Sequence, residues 1–119
     1  MKDKKIMILN DEEILRNFIA YALEKHGFTT FIAANLEDAA KKMEEEPHVI
    51  ITHLKSFDNS GEMLVDARRA VGSLPMIVIA SQTTKAIRDR LAEVNASGVI
   101  EKPFAMDDLI QTLNSLFPE

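Results

Sequence analysis

The sequence contains no cysteine. Disulfides, thiol catalysis and thiolate metal sites are therefore excluded. Long apolar runs are also missing, and no segment can span a bilayer. Met1 is followed by Lys2, Asp3, Lys4 and Lys5, and then by the four apolar residues Ile6 to Leu9. That stretch is too short for the apolar region of a signal peptide, so a cytoplasmic location is expected. A surplus of basic charge is absent as well. Fourteen Lys and Arg face 19 Asp and Glu, for a net charge of −5. A nucleic-acid binder usually carries a basic surplus or stripe. Here Arg68, Arg69, Arg88 and Arg90 are interleaved with Asp66, Asp89 and Glu93, a pattern of solvated helix faces. No glycine-rich phosphate loop occurs, and there is no repeat, linker or low-complexity segment.

What is present is a regular alternation. The length of 119 residues favours one domain over residues 1–119, and 46% hydrophobic residues suffice for a core. Ile6 to Leu9 reads as a buried strand. Asp11, Glu12 and Glu13 suit a helix start, followed by Ile14, Leu15, Phe18, Ile19 and Ala22 at helical spacing. Gly27 stops that helix, with His26 in its last turn. Thr29 to Ala33 is β-branched and aromatic, hence a second strand. Asn35 can cap a second helix with Leu36, Ala39, Ala40 and Met43 inward, ended by Pro47. Val49 to Thr52 is the third strand, and a polar, turn-rich stretch runs from His53 to Gly61. A third helix carries Met63, Leu64, Ala67, Ala70 and Val71, and closes at Gly72. Met76 to Ala80 is the fourth strand. Thr83 or Thr84 can cap a fourth helix with Ile87, Leu91 and Val94 inward. Val99-Ile100 forms a short fifth strand, broken at Lys102-Pro103. A last helix buries Leu109, Ile110, Leu113, Leu116 and Phe117.

Continuous apolar strands that alternate with amphipathic helices imply an α/β fold, a parallel sheet covered on both faces. In such sheets the working site lies beyond the carboxyl ends of the strands. The residues at that edge are Asn10, Asp11 and Glu12; His53; Ala80 and Ser81; and Glu101 and Lys102. Asp11 and Glu12 offer oxygens to a hard divalent cation, or else only complement a helix dipole. Lys102 offers a point charge to an anion.

At these residues the chain resembles the receiver domain of two-component response regulators. Three segments carry the resemblance. Ile6-Met7-Ile8-Leu9-Asn10-Asp11-Glu12 is similar to the acidic first-strand motif. Pro47-His48-Val49-Ile50-Ile51-Thr52-His53-Leu54, with Gly61 after it, is similar to the phosphoacceptor strand and its loop. Gly98-Val99-Ile100-Glu101-Lys102-Pro103-Phe104 is similar to the fifth-strand motif with its lysine and cis proline. The resemblance implies a flavodoxin-like three-layer sandwich with a sheet in the order 2-1-3-4-5. It also implies phosphoryl transfer from a histidine kinase or a small phosphodonor to an aspartate, with Mg²⁺ held by acidic residues. A Ser/Thr after strand four and an aromatic in strand five would couple this to a conformational change.

Several positions depart from that pattern. Asn10 stands at the first acidic position, His53 at the phosphoacceptor, Ala80 at the hydroxyl position with Ser81 beside it, and Val99 at the aromatic switch. Asp11, Lys102 and Pro103 match. Aspartyl phosphate needs a carboxylate nucleophile, which His53 does not provide. Two lost carboxylate charges leave at most a weak Mg²⁺ contact at Asp11, because Mg²⁺ prefers oxygen to imidazole. The expectation is a pseudo-receiver: a two-component signalling module, not an enzyme, with no cofactor. Its partner would be a kinase or an output protein, not a nucleic acid or a membrane.

His53 admits other roles. It could be a nucleophile itself, a Zn²⁺ ligand together with Asp11, or a pH-sensitive partner of Asp11. The plainest is a filler in a vestigial site. In the family the face of helix four, strand five and helix five commonly dimerises or meets partners. Here that face would present Arg88, Arg90, Glu93, Glu101, Asp107 and Asp108. Two alternatives differ in class. One is a working phosphorelay receiver with an atypical acceptor; the other is a flavodoxin-like cofactor protein, which the acidic residues after strand one disfavour.

Overall fold

The structure is a computed structural model, and it describes residues 4–10, 12–54, 61–81 and 83–117. Strand β1 (Lys5–Leu9) leads to helix α1 (Glu13–Lys25), and β2 (Thr29–Ala33) to α2 (Leu36–Lys42). A 3-10 turn, Met43–Glu45, extends α2. Then follow β3 (Val49–Leu54), α3 (Glu62–Val71), β4 (Met76–Ala80), α4 (Lys85–Glu93), β5 (Gly98–Glu101) and α5 (Met106–Leu116). The five strands form one sheet in the order β2-β1-β3-β4-β5, and every pairing is parallel.

The sheet is buried on both faces because strand residues alternate sides. Met7, Leu9, Ile50, Leu54, Met76, Val78 and Ala80 pack with Ala39, Leu64, Ala67, Val71, Ile87, Leu91 and Val94 from α2, α3 and α4 and the residue after α4. Ile6, Ile8, Val49, Ile51, Ile77, Ile79 and Ile100 pack with Ile19, Leu23, Leu109, Ile110 and Leu113 of α1 and α5. Each such Ile or Leu contributes about 1.5–3 kcal/mol by leaving water.

Local chemistry sets the helix ends. Asn35 Oδ1 accepts the Asp38 N–H at 2.8 Å, and Asp38 in turn accepts the Ala34 N–H at 2.9 Å. That backbone donor, then Lys42, lowers the Asp38 pKa below its ordinary value. Thr84, not Thr83, caps α4 by accepting the Ile87 N–H at 3.3 Å. Gly61 precedes α3 with φ of +73°, and a Cβ there would come within 2.8 Å of Arg90 Cγ. A left-handed backbone and a close neighbour both call for glycine.

The sequence reading needs four corrections. Strand β3 runs to Leu54, so His53 lies inside the strand, paired with Ile79, and not in the loop after it. Ile14 and Phe18 do not face the sheet; they are 87% and 54% exposed. The buried arc of α1 is centred on Ile19 and Leu23 instead. Ala40 is exposed on α2. Phe117 lies just past α5 as its C-cap, although it does pack against the α1/α5 cluster. Among the described residues no helix is long and apolar enough to cross a membrane.

Candidate functional site

The carboxyl ends of β1, β3, β4 and β5 converge on one edge, where most of the sequence-flagged residues lie. Asn10 follows β1 and is buried. Its Oδ1 accepts the Glu12 N–H at 2.8 Å, so this amide shapes the turn into α1. Asp11 lies outside the described residues. Glu12 is the N-terminal flanking residue of α1, and its carboxylate turns back over the strand ends.

Glu12 is the hub of the edge. Its Oε1 lies 3.4 Å from Lys102 Nζ and 3.6 Å from His53 Nδ1. His53 is only 3% exposed, whereas Glu12 is half-exposed and Lys102 less so. Strand alternation puts His53 on the side of Ile51 and Ile79, so the imidazole caps the α1/α5 half of the core. Lys102 follows β5; its N–H donates to the Ala80 carbonyl at 2.9 Å, which extends the β4–β5 pairing past the strand. The peptide between Lys102 and Pro103 is cis.

Among the described residues, the oxygens at this edge are largely engaged. The Asn10 amide oxygen is used by Glu12, the Glu12 carboxylate already carries the Lys102 ammonium, and the third group is an imidazole. Among the described residues no three His, Asp or Glu side chains cluster as a metal site.

Beside this edge, Ala80 on β4 and Val99 on β5 carry small or aliphatic side chains. Ala80 is fully buried and faces Glu101 across the β4–β5 ladder. Ser81, half-buried, follows it. Val99 pairs with Val78 and is 40% exposed. One link here escaped the sequence reading. The Thr83 hydroxyl donates to Glu101 Oε2 at 2.8 Å, and Arg88 donates to the Thr83 carbonyl at 2.8 Å. These contacts tie the β4–α4 turn to β5. Thr83 and Glu101 are too far apart in sequence for any local signal to pair them.

The six residues expected on the α4–β5–α5 face divide into two groups. Arg88, Glu101, Asp107 and Asp108 are exposed there, on α4, β5 and the first turn of α5. Arg90 and Glu93 turn the other way. Arg90 pairs with Glu93 at 2.8 Å and with Glu62 of α3 at 2.9 Å, and Glu93 also lines the hollow beside Arg68 of α3. The Arg90 pKa is raised, chiefly by its hydrogen bond to Glu93.

Comparison with known proteins places this geometry. The response regulator receiver domain family matches residues 6–114. A putative NtrX-like response regulator of Rickettsia typhi is 32% identical over 115 residues, which cover 92% of this chain and 24% of that protein. The KDP operon transcriptional regulatory protein KdpE of Escherichia coli is 27% identical, over 87% of this chain and 47% of its own length. The chain thus spans from a quarter to about half of these relatives. Among solved structures, FixJ-N superposes with a TM-score of 0.79 at 26% identity, covering 98% of this chain and 94% of its own. The chemotaxis protein CheY4 of Vibrio cholerae gives a TM-score of 0.80 at 22% identity, covering 97% and 99%, and so shares the fold. With its five-stranded 2-1-3-4-5 sheet and a match over nearly its whole length, the chain belongs to the response regulator receiver domain family.

Proposed function

We propose that this chain is a pseudo-receiver: a single receiver domain over residues 1–119 that signals by protein contact, without aspartyl phosphorylation. The observation that carries this reading is His53. It fills the end of β3 as a buried imidazole beside Glu12, and Glu12 in turn holds Lys102. Position 53 carries no carboxylate to accept a phosphoryl group, and the lysine that would meet that group already has an anionic partner. Ala80 and Val99 supply neither a hydroxyl nor a ring to follow such a group. Phosphorylation of His53 itself is disfavoured, because a side chain 3% exposed offers little approach to a phosphodonor.

On this reading the partner is a kinase or an output protein of a two-component pathway, and the module works in the cytoplasm. The exposed polar group of Arg88, Glu101, Asp107 and Asp108 fits a specific contact there. A homodimer through the same α4–β5–α5 face uses those residues without Arg90 and Glu93.

Incubation with a small phosphodonor and Mg²⁺, read by intact mass and by ³¹P NMR, tests the reading. The expected result is no labile phosphoryl group on the wild-type chain. A labile group that forms on the wild type and is lost in His53→Ala would establish the working-receiver alternative instead.

A further inference from the structure

Strand β2 is an edge of the sheet, and among the described residues no strand lies beyond it. An edge strand offers unpaired main-chain groups to any strand that can reach them. The register fixes which groups these are. Thr29 donates its N–H to the Lys4 carbonyl at 3.0 Å, and the pairs from Lys5–Thr29 to Leu9–Ala33 continue that parallel ladder. In a parallel strand alternate residues serve the same neighbour, so Thr29, Phe31 and Ala33 bond to β1. Thr30 and Ile32 therefore turn their N–H and C=O groups outward.

The strand itself carries none of the usual protections. Thr29-Thr30-Phe31-Ile32-Ala33 contains no charge, proline or glycine, and most of its residues favour β structure. Protection comes from the flanking helices instead. On one face of the sheet, Glu24 of α1 accepts a hydrogen bond from the Thr30 hydroxyl at 2.6 Å. On the other, Lys42 at the end of α2 reaches over and donates its ammonium to the Ile32 carbonyl. A lysine at a helix end normally keeps its ammonium in water. Here Asp38, one turn earlier, holds that ammonium at 3.1 Å, and Asp38 is itself fixed by the Ala34 N–H at 2.9 Å.

The blocked carbonyl matters because the edge is self-complementary. Set antiparallel to its own copy about a two-fold axis at Phe31, Thr30 of each strand faces Ile32 of the other. Each such pair exchanges both of its N–H···O=C bonds, and the Ile32 carbonyl of each copy accepts one of them. With Lys42 bound there, half of the possible ladder is lost. The ammonium also stands where the incoming N–H would stand.

We propose that Lys42 is a gate: it closes the β2 edge against a second copy of β2, which would otherwise extend the sheet across two protomers. The occupant is a copy of this chain because the outward groups match themselves in register and no charge on the strand repels its like. The contact is isologous and closes as a dimer, with main-chain bonds supplying the affinity. It is separate from the α4–β5–α5 face, since β5 is the opposite edge of the sheet.

Lys42→Met keeps the length of the stem and removes the ammonium. Sedimentation velocity and amide NMR from about 10 µM to about 1 mM compare it with the wild type, a range that covers weak association. The wild type is expected to show no concentration-dependent shift at Thr30 or Ile32. Lys42→Met should dimerise at least about tenfold more tightly than the wild type, with shifts and slowed amide exchange at Thr30 and Ile32. Lys42→Arg, which keeps a cation within reach of the carbonyl, should stay closed. Adding Thr30→Pro to Lys42→Met removes an outward N–H that β1 does not use, and should restore the monomer. Circular dichroism and urea melts check that each variant folds, and Lys42→Gln repeats the test where Lys42→Met folds poorly. A folded Lys42→Met that stays monomeric at about 1 mM overturns the proposal. So does a wild type that already dimerises through Thr30 and Ile32, or a Lys42→Met dimer that Thr30→Pro leaves intact.

Discussion

The two ends of the sheet are built from different materials. At the amino end, side chains bind main-chain groups that have no charge to change. Arg68 of α3 donates Nε to the Val94 carbonyl at 2.8 Å, and one terminal nitrogen to the carbonyls of Gly72 and Leu74 at 2.6 and 2.7 Å. Its other terminal nitrogen reaches Asn95 O at 3.4 Å. Partial burial lowers the Arg68 pKa. His48 accepts the Lys5 N–H at 3.0 Å, which joins the starts of β1 and β3. At the carboxyl end, by contrast, charged and polar side chains bind one another: Glu12 with Lys102 and His53, and Thr83 with Glu101. The amino end is a fixed clasp. The carboxyl end carries ion-pair chemistry, with the Glu12 carboxylate standing against Lys102.

Substitution at each end sharpens this contrast. The largest effect is expected from Arg68→Ala. It leaves two part-buried carbonyls, those of Val94 and Leu74, without their donor and should lower unfolding free energy by about 2–3 kcal/mol in urea melts. A much smaller loss would mean that water replaces the guanidinium freely and that the clasp is weak. The smaller effect belongs to Glu12→Gln. Its carboxylate is half-exposed, so stability should change by less than about 0.5 kcal/mol. The same change should move the side-chain NMR resonances of Lys102 and His53, because it removes the charge between them. Equal stability losses at both ends would erase the distinction.

Much of the fold was legible in the sequence, and the reasons are local. Strands buried on both faces must be apolar throughout, so Ile6 to Leu9 and Met76 to Ala80 stood out unaided. Asn35 announced α2 through its capping chemistry. Helix α1 was read less well. Helical spacing identifies an apolar residue but not the face it serves, and Ile14 and Phe18 fall outside the arc that meets the sheet. His53 was placed one step too late, because a polar residue reads as a strand end unless its ladder partner Ile79 is known. The Arg68 clasp and the Thr83–Glu101 link join residues distant along the chain, as does the turn of Arg90 toward Glu62. At the site, the identities of Asn10, His53, Ala80 and Val99 were plain from the family pattern. The role of Glu12 as the anion between Lys102 and His53 was not, since only the fold brings those three together.

The central claim is that the carboxyl edge has lost a coupled set of groups and not one residue. His53→Asp tests it most directly, with the variant treated with phosphodonor and Mg²⁺ and followed by amide NMR shifts and sedimentation. The account predicts no shift that spreads from β3 to β4 and β5, and no phosphorylation-driven dimer, because Ala80 and Val99 remain. Strong phosphorylation of this single variant, with shifts reaching Val99 and a new dimer, would contradict it.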